Sequence, residues 1–117
     1  MKINRIILTD DSTKKLQLLK SKTGLTPNIL CRFGLILSLQ DNTIPDPILY
    51  KQDGQELLRH VLLGEIDNIC IALFKQRAAQ DNKDLSDEKS LVDYFRAHIN
   101  RGAELIYNRS NSLISLF

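Results

Sequence analysis

Residues 26–39 read TPNILCRFGLILSL, and this stretch decides the fold. Thr26 followed by Pro27 predicts a helix start, because threonine is a good capping residue and proline suits the first helical position. The helix that follows, residues 27–39, is apolar on nearly all sides and carries Arg32 as its only charge. Since solvent cannot surround a helix of this kind, we predict that it is buried on several sides. In so short a chain, part of that burial is expected to come from a second copy of the protein.

The residues before this stretch predict a strand and a first helix. Residues 2–8 are rich in β-branched and apolar side chains, but a lone strand has no partner in this chain, so we expect pairing with another subunit or an extended arm. The first helix is expected to be capped by Asp10, Asp11 or Ser12 and to end at Gly24. One of its faces is apolar and much of the other is basic: Leu16, Leu19 and Thr23 against Lys14, Lys15, Gln17 and Lys20.

The middle of the chain predicts one loop and two helices. Residues 40–53 contain Pro45 and Pro47 and form the obvious loop. A stripe with the spacing i, i+3, i+4, i+7, i+8 over residues 66–74 predicts a helix. Before it, a short helix ending near Gly64 is predicted from four apolar residues: Leu57, Leu58, Val61 and Leu62.

The last third predicts one more helix after a polar linker, residues 80–84. Ser86 can cap this helix, and the pattern leaves open whether it continues past Gly102. Residues 109–117 are expected to form a tail. The apolar positions of the predicted helix are Leu91, Phe95 and Ile99. The predicted architecture is therefore an all-α, small helical bundle in a single domain, residues 1–117, that assembles into an oligomer.

The length and the charge distribution of the chain limit the functions it can have. A chain of 117 residues allows one compact domain and excludes a TIM barrel or a two-halved dinucleotide-binding enzyme. The formal net charge is only +2. Residues 1–40 nevertheless hold seven basic and two acidic residues, whereas residues 41–117 hold nine basic and twelve acidic residues. This asymmetry predicts an anionic partner, nucleic acid or an acidic membrane surface, for the N-terminal third.

The cellular compartment is predicted from the lack of membrane-spanning and signal-peptide patterns and from the two cysteines. No run of about 18 apolar residues occurs, so no membrane-spanning segment is expected. The apolar stretch near Met1 is too short for the core of a signal peptide. Cys31 and Cys70 lie in apolar stretches without a pairing pattern, so we predict two reduced core residues in a cytoplasmic protein.

The candidate binding residues are basic. Lysine-rich helix faces are usually only solvated, but the local excess of positive charge favours phosphate contacts. No aromatic residues are interleaved for stacking on single strands, so if the partner is nucleic acid, the backbone of a duplex is its predicted form. The candidates are Lys14, Lys15, Lys20 and Lys22, together with Lys2 and Arg5.

The order strand, helix, helix also fits a ribbon-helix-helix module, in which paired strands from two chains enter a DNA groove. An N-terminal helical hairpin of another bundle fits the same pattern. A repressor of the first kind would read a specific operator with Lys2, Asn4 and Ile6.

Signals for catalysis are weak. His60 and His98 are isolated, and neither a metal-ligand spacing nor a glycine-rich phosphate loop occurs, so no metal or cofactor is predicted. The enzymatic alternative is a Mg²⁺-dependent nicking activity that uses Asp46, Asp87 and Lys89. Such chemistry needs carboxylates and a lysine fixed on adjacent strands, whereas these residues fall in a loop and at a predicted helix start.

Two stretches resemble the signatures of the DndE family, whose members are small proteins of the bacterial DNA phosphorothioation (DNA sulfur modification) system. The first is residues 22–33, KTGLTPNILCRF, which continues to Ser38 and Leu39. The second is residues 98–102, HINRG, followed by AEL. The two stretches occur in the family's order, so the resemblance covers nearly the whole chain.

The resemblance implies a helical, tetrameric DNA-binding protein without a cofactor or a settled catalytic activity. It implies an association with nicked double-stranded DNA and with the other subunits of a sulfur-inserting apparatus. Surface lysines bind DNA in the family, and that role falls most naturally on Lys14, Lys15, Lys20 and Lys22, of which only Lys22 belongs to the first motif. The resemblance assigns no role to Arg32 and Arg101, which are motif positions.

Overall fold

The computed structural model describes residues 1–115, and side chains are described for residues 1–110. Within this part of the chain the helices are α1 (Asp10–Thr23), α2 (Pro27–Gln40), α3 (Arg59–Leu63), α4 (Asp67–Gln80) and α5 (Glu88–Ser115). The strands are β1 (Arg5–Ile7) and β2 (Glu56–Leu58), and two short 3-10 turns occupy Pro47–Leu49 and Gly64–Ile66. The predicted helical bundle is confirmed, with a small sheet added to it.

Helix α5 is the centre of the bundle. Residues 94–103 are all buried, so other elements surround α5 over about three turns. Among the other helices, α2 packs along it most extensively. The predicted apolar positions Leu91, Phe95 and Ile99 all face the core.

The ends of α1 and the start of α2 follow from local sequence. Thr9 caps α1 in place of the three residues predicted for that role, and its side chain accepts a hydrogen bond from the backbone N–H of Ser12 at 2.9 Å. Gly24 ends α1 in the left-handed conformation, with φ of 76°. Pro27 is the first residue of α2, as predicted.

The N-terminal strand pairs within the chain, which corrects the prediction that it lacks a partner. Strand β1 runs antiparallel to β2, and Ile6 lies opposite Leu57 with both side chains buried. The sequence predicts a helix already at Leu57, but helix α3 begins only at Arg59. Because β1 is paired with β2, it needs no strand from a second chain, and the intersubunit ribbon of a ribbon-helix-helix protein is not required.

Helix α5 differs from its prediction at both ends. Asp87 rather than Ser86 caps it, because the Asp87 carboxylate accepts a hydrogen bond from the backbone N–H of Ser90 at 3.2 Å. The helix continues past Gly102 and includes residues 109–115, where the sequence suggests a tail. Residues 116 and 117 lie outside the described residues.

Helices α2 and α5 meet backbone to backbone at two glycines. A Cβ atom added to Gly34 would lie 2.6 Å from the carbonyl carbon of Gly102, and one added to Gly102 would lie 2.3 Å from the carbonyl carbon of Gly34. Four residues further along α2, Ser38 contacts His98, which lies four residues earlier in α5. The helices therefore run antiparallel, and only glycine fits where they cross.

We expect Gly34→Ala to destabilise the protein. Helix propensity alone favours alanine over glycine by about 0.5–1 kcal/mol. The clash with the α5 backbone should reverse this sign and lower the free energy of unfolding by roughly 1–3 kcal/mol or more. Urea unfolding followed by circular dichroism measures the change.

Ser21→Ala on the exposed side of α1 is the control for this substitution, and it should change the free energy of unfolding by less than about 0.5 kcal/mol. An unchanged or higher stability of Gly34→Ala would show that the two helices do not meet at this point.

Candidate nucleic-acid interface

Four of the six candidate cations lie on α1, and two of these are ion-paired. Lys14 and Lys15 contact Asp10 and Asp11, one helical turn earlier, at 2.9 Å and 2.8 Å between Nζ and a carboxylate oxygen. The hydrogen bond that the Lys14 ammonium donates to the Asp10 carboxylate raises the pKa of Lys14. The Lys15 ammonium also lies 5.6 Å from the centroid of the Tyr107 ring. The positive charge of these two lysines is therefore partly neutralised within the chain.

Lys20 and Lys22 occupy the last turn of α1, and both are exposed. The positions one helical turn before them hold Leu16 and Leu18 rather than acids. Lys20 forms no salt bridge with any side chain that the structure describes. Lys20 therefore places exposed positive charge near the C-terminal end of α1.

Lys2 and Arg5 lie apart from α1, on the N-terminal segment. Arg5 in β1 pairs with Glu56 of β2 at 3.5 Å. The backbone N–H of Lys2 donates to the Glu88 carboxylate at the start of α5, and the residue is exposed. The structure thus groups Lys14, Lys15, Lys20 and Lys22 on one helix and leaves Lys2 and Arg5 on a separate element.

The two motif arginines hold backbone carbonyls inside the fold. Arg32 donates to the carbonyl oxygen of Leu62, near the end of α3, at 2.6 Å. Arg101 donates to the carbonyl oxygen of Ser38, near the end of α2, also at 2.6 Å, and to that of Thr43 beyond it. Positive charge is favoured at the C-terminal end of a helix, so both arginines act as helix caps.

Arg77 and Arg59 also donate hydrogen bonds to backbone carbonyls, and neither is among the residues predicted from the sequence. Arg59 forms a bidentate ion pair with Asp67 at 2.7 Å and 2.9 Å. Arg77 is buried in α4, and its spacing from Phe74 and Cys70 by three and seven residues places it on the core face; that spacing was the available signal. The carbonyls bound by the two arginines are those of Met1, Ile3, Ser38, Leu39, Asp41 and Thr43.

The second motif joins α5 to both α1 and α2. The side-chain oxygen of Asn100 accepts a hydrogen bond from the backbone N–H of Thr9, the cap of α1, at 3.0 Å. His98 Nδ1 lies 2.7 Å from the hydroxyl oxygen of Ser38 in α2. These contacts, with the glycine crossing, fix the positions of both N-terminal helices.

His98 is neutral in the folded protein. Burial, reinforced by the nearby charges of Arg101 and Arg77, lowers its pKa to about 3. The Ser38 hydroxyl accepts a hydrogen bond from Arg101 Nε at 2.8 Å, so it can donate its own proton to His98 Nδ1. This network assigns the imidazole proton to Nε2. The Nε2 atom is buried and has no hydrogen-bond partner among the described residues.

The residues of the enzymatic alternative have structural partners. The Asp46 carboxylate accepts a hydrogen bond from the backbone N–H of Ile48 at 3.1 Å and caps a 3-10 turn, and Asp87 caps α5. Lys89 is exposed in the first turn of α5. Over the described side chains, no group of three or more His, Cys, Asp or Glu residues is placed to hold a metal ion.

The remaining sequence predictions concern cysteines and membrane spans. Cys31 and Cys70 are free and buried, as predicted, and burial raises the pKa of Cys31 to about 12. His60 is exposed on α3. None of the helices in the described part of the chain is both long enough and apolar enough to cross a bilayer.

Helices α2 and α4 share an exposed apolar face, which we call the α2–α4 face: Ile29, Phe33, Ile36, Ile69 and Leu73. Phe33 is 54% exposed, and Ile36 and Leu73 line a groove of about 230 Å³. The stripe predicted over residues 66–74 is thus divided, because Cys70 and Phe74 point into the core whereas Ile69 and Leu73 do not. In the single chain α2 is therefore buried on one side rather than on several.

Comparison with known proteins places this arrangement in a family. The family model described as DNA sulphur modification protein DndE matches residues 5–113. The chain belongs to the DndE family. This match confirms the family that the two sequence motifs indicate.

Two solved structures of this family are similar to the chain. DndE from Escherichia coli B7A, involved in DNA phosphorothioation modification, has 28% sequence identity and a TM-score of 0.74, covering 91% of this chain and 98% of that one. A DndE mutant with glycine-to-lysine substitutions has 28% identity and a TM-score of 0.71, covering 91% of this chain and 99% of its own. No curated protein matched the sequence.

In this DndE-family chain, the two sequence motifs lie where α2 and α5 contact each other. The first motif and its continuation contain Ser38, and the second contains His98 and Arg101, which bind it. Gly34 and Gly102 cross inside the same two stretches. Of the α1 lysines, only Lys22 lies within a motif. The motifs therefore describe the scaffold, and the candidate DNA-binding charge lies mostly outside them.

The stability of the protein should decrease in acid because of His98. Its pKa is about 3 in the folded state against an ordinary value of 6.5, so between these values the unfolded chain binds a proton that the folded chain does not. The free energy of unfolding should therefore fall by about 1.4 kcal/mol for each pH unit lost in this window. Urea unfolding at several pH values measures the slope.

The variant His98→Gln keeps a hydrogen-bonding side chain but does not titrate in this window, so it should lack this part of the slope. Subtracting its pH profile from that of the wild type removes the contribution of the carboxylates. Parallel profiles for the two proteins would contradict a buried, neutral His98.

Proposed function

We propose that this protein is a non-enzymatic DNA-binding subunit of a bacterial DNA phosphorothioation system. It binds the backbone of double-stranded DNA through the lysines of α1, prefers nicked duplexes, and works with the other subunits of that system. Membership of the DndE family supports the assignment to the system. The preference for nicked DNA follows the resemblance stated for the sequence motifs.

The observation that carries this proposal is the different use of the two basic residue types. Arg32, Arg77 and Arg101 bind carbonyl oxygens inside the fold, whereas the α1 lysines project from its surface. Phosphate contacts need mobile cations on a stable scaffold and do not read base sequence. Helix α1 is such a scaffold, because Thr9 caps it and Asn100 ties the cap to the central helix.

We place this activity in an oligomer, and the family resemblance implies a tetramer. The α2–α4 face supports self-association, because contiguous large apolar side chains exposed on a small domain are typical of protein interfaces. Pairing this face with the same face of a second copy would remove Phe33 and its neighbours from water. Several copies of α1 on one particle would bind a polyanion more tightly than one copy does.

Replacing Lys20 and Lys22 with alanine should weaken binding to a labelled nicked duplex by about tenfold. It should also lower the slope of log Kd against log salt concentration by about 1 for each lysine. Lys14→Ala alone should cost less affinity than Lys20→Ala alone, because the charge of Lys14 already pairs with Asp10. Fluorescence anisotropy with nicked and intact duplexes over a series of salt concentrations measures both quantities.

The matched control is Lys75→Ala/Lys89→Ala, which removes the same charge from exposed positions on α4 and α5 and should leave the affinity unchanged. A salt slope near zero, or an equal loss in the control, would contradict binding through α1. Nicking of supercoiled plasmid by the pure protein with Mg²⁺, abolished by Asp87→Ala, would contradict the non-enzymatic part of the proposal.

Phe33→Asp should dissociate the oligomer, because it places a charge in the middle of the α2–α4 face. The mass from light scattering should fall and the DNA affinity should fall with it, while the far-ultraviolet circular dichroism spectrum stays that of a folded helical protein because Phe33 is 54% exposed in the single chain. Ile48→Asp, at a residue that is 86% exposed but outside this face, should keep the wild-type mass. An unchanged mass for Phe33→Asp would place the interface elsewhere.

A further inference from the structure

The segment of residues 44–49, which we call the apolar knob, presents large aliphatic side chains to solvent. Ile48 and Leu49 are 86% and 71% exposed, the highest values among the large apolar side chains that the structure describes. Ile44 is 52% exposed. None of the knob residues lines the groove of the α2–α4 face. The knob is therefore a second exposed apolar feature, separate from the surface proposed for self-association.

The knob is internally stiff. Pro45 and Pro47 restrict their own backbone angles, and Pro45 is buried. Asp46 caps the turn over Pro47–Leu49 through the backbone N–H of Ile48. The exposed side chains of Ile48 and Leu49 thus project from a fixed backbone.

Three buried guanidinium groups anchor the two ends of the knob. On its N-terminal side, the carbonyl oxygen of Thr43 accepts hydrogen bonds from Arg77 and Arg101. On its C-terminal side, the carbonyl oxygen of Tyr50 accepts a hydrogen bond from Arg96. Because the segment is ordered before any partner binds, docking through it would lose little conformational entropy.

The surroundings of the knob are acidic. Leu49 borders a hollow of about 240 Å³, and Pro47 borders another of about 280 Å³. The charged residues lining the two hollows are Asp10, Asp11, Lys51, Asp53 and Glu104 in the first, and Lys83, Asp84 and Asp93 in the second. Asp10, Asp11 and Asp93 already form ion pairs with Lys14, Lys15 and Arg96. The carboxylates of Asp53, Asp84 and Glu104 remain, and together with that of Asp46 they outnumber the two lysines, Lys51 and Lys83.

We propose that the apolar knob inserts into an apolar pocket, rimmed by lysine or arginine, on another protein subunit of the DNA phosphorothioation system. Aliphatic anchors surrounded by charge match the centre and rim of a protein interface. The carboxylates around the knob repel phosphate, which argues against DNA as its occupant. A second copy of this protein is also excluded as the occupant, because its basic surface is α1 and DNA covers α1 in the proposed function. This exclusion rests on the proposed function.

Site-specific photo-crosslinking tests the identity of the occupant. The full chain carries p-benzoylphenylalanine at position 48 in cells that express all the modification proteins of the source bacterium, and adducts are identified by mass spectrometry after irradiation. We expect an adduct with one different protein of the system, and we expect Leu49→Asp to abolish it. The same amino acid at position 21, on α1, is the control and should not give this adduct. An adduct with a second copy, an adduct with DNA, or no adduct would overturn the proposal.

A functional readout separates this proposal from DNA binding and self-association. Ile48→Asp/Leu49→Asp should lower the phosphorothioate content of cellular DNA by about tenfold or more, while the purified variant keeps the wild-type mass and DNA affinity. Ile48→Leu/Leu49→Ile preserves the apolar character of the knob and should keep all three properties. Unchanged phosphorothioate content in the aspartate variant would overturn the proposal, as would a loss of its DNA affinity or its mass.

Discussion

The backbone contact between Gly34 and Gly102 is the constraint on which the other contacts of α2 depend. Packed helices usually lie about 8–10 Å apart, and they approach more closely where neither carries a side chain. The crossing sets α2 against the central helix in a single antiparallel register. In that register Ser38 meets His98 and Arg101, and the end of α2 comes within reach of the buried guanidinium groups that also hold the loop after it. The loop geometry thus follows from the helix crossing.

Local sequence chemistry predicts the boundaries of α1 and α2 well, but it misjudges which helix is central. Gly24 and Pro27 act through the backbone of their own neighbours, so their effects can be read without knowing the fold. Apolar periodicity finds Phe95 and Ile99 in the central part of α5 but does not show that other elements surround this helix. The reason is that four of its ten buried residues are polar or charged: Arg96, His98, Asn100 and Arg101. Each is buried because a specific partner from another element meets it, and such partners are distant in sequence. The pairing of β1 with β2 also cannot be predicted from the sequence, because two strands of three residues each carry too little pattern.

The candidate DNA-binding site was more accessible to sequence reasoning than the core, although only in part. The positions of the α1 lysines and their asymmetry of charge follow from the sequence, and so does the pairing of Lys14 with Asp10, since helical neighbours lie four residues apart. The contact of Lys15 with Tyr107 depends on how α1 packs against α5, which no local pattern contains. The sequence predicts only a loop for the apolar knob, because its prolines and aspartate outweigh Ile48 and Leu49 in any local pattern.

The buried arginines Arg77 and Arg101 and the exposed lysines Lys14 and Lys20 respond differently to ionic strength. Mobile ions screen exposed charges over about 8–10 Å at physiological salt, but they act much less on buried groups. The hydrogen bonds from Arg77 and Arg101 to helix carbonyls are therefore largely insulated from salt, whereas attraction between α1 and a polyanion is not. In the proposed function, salt would release DNA from α1 without loosening the bundle, so the protein would dissociate and rebind while it stays folded.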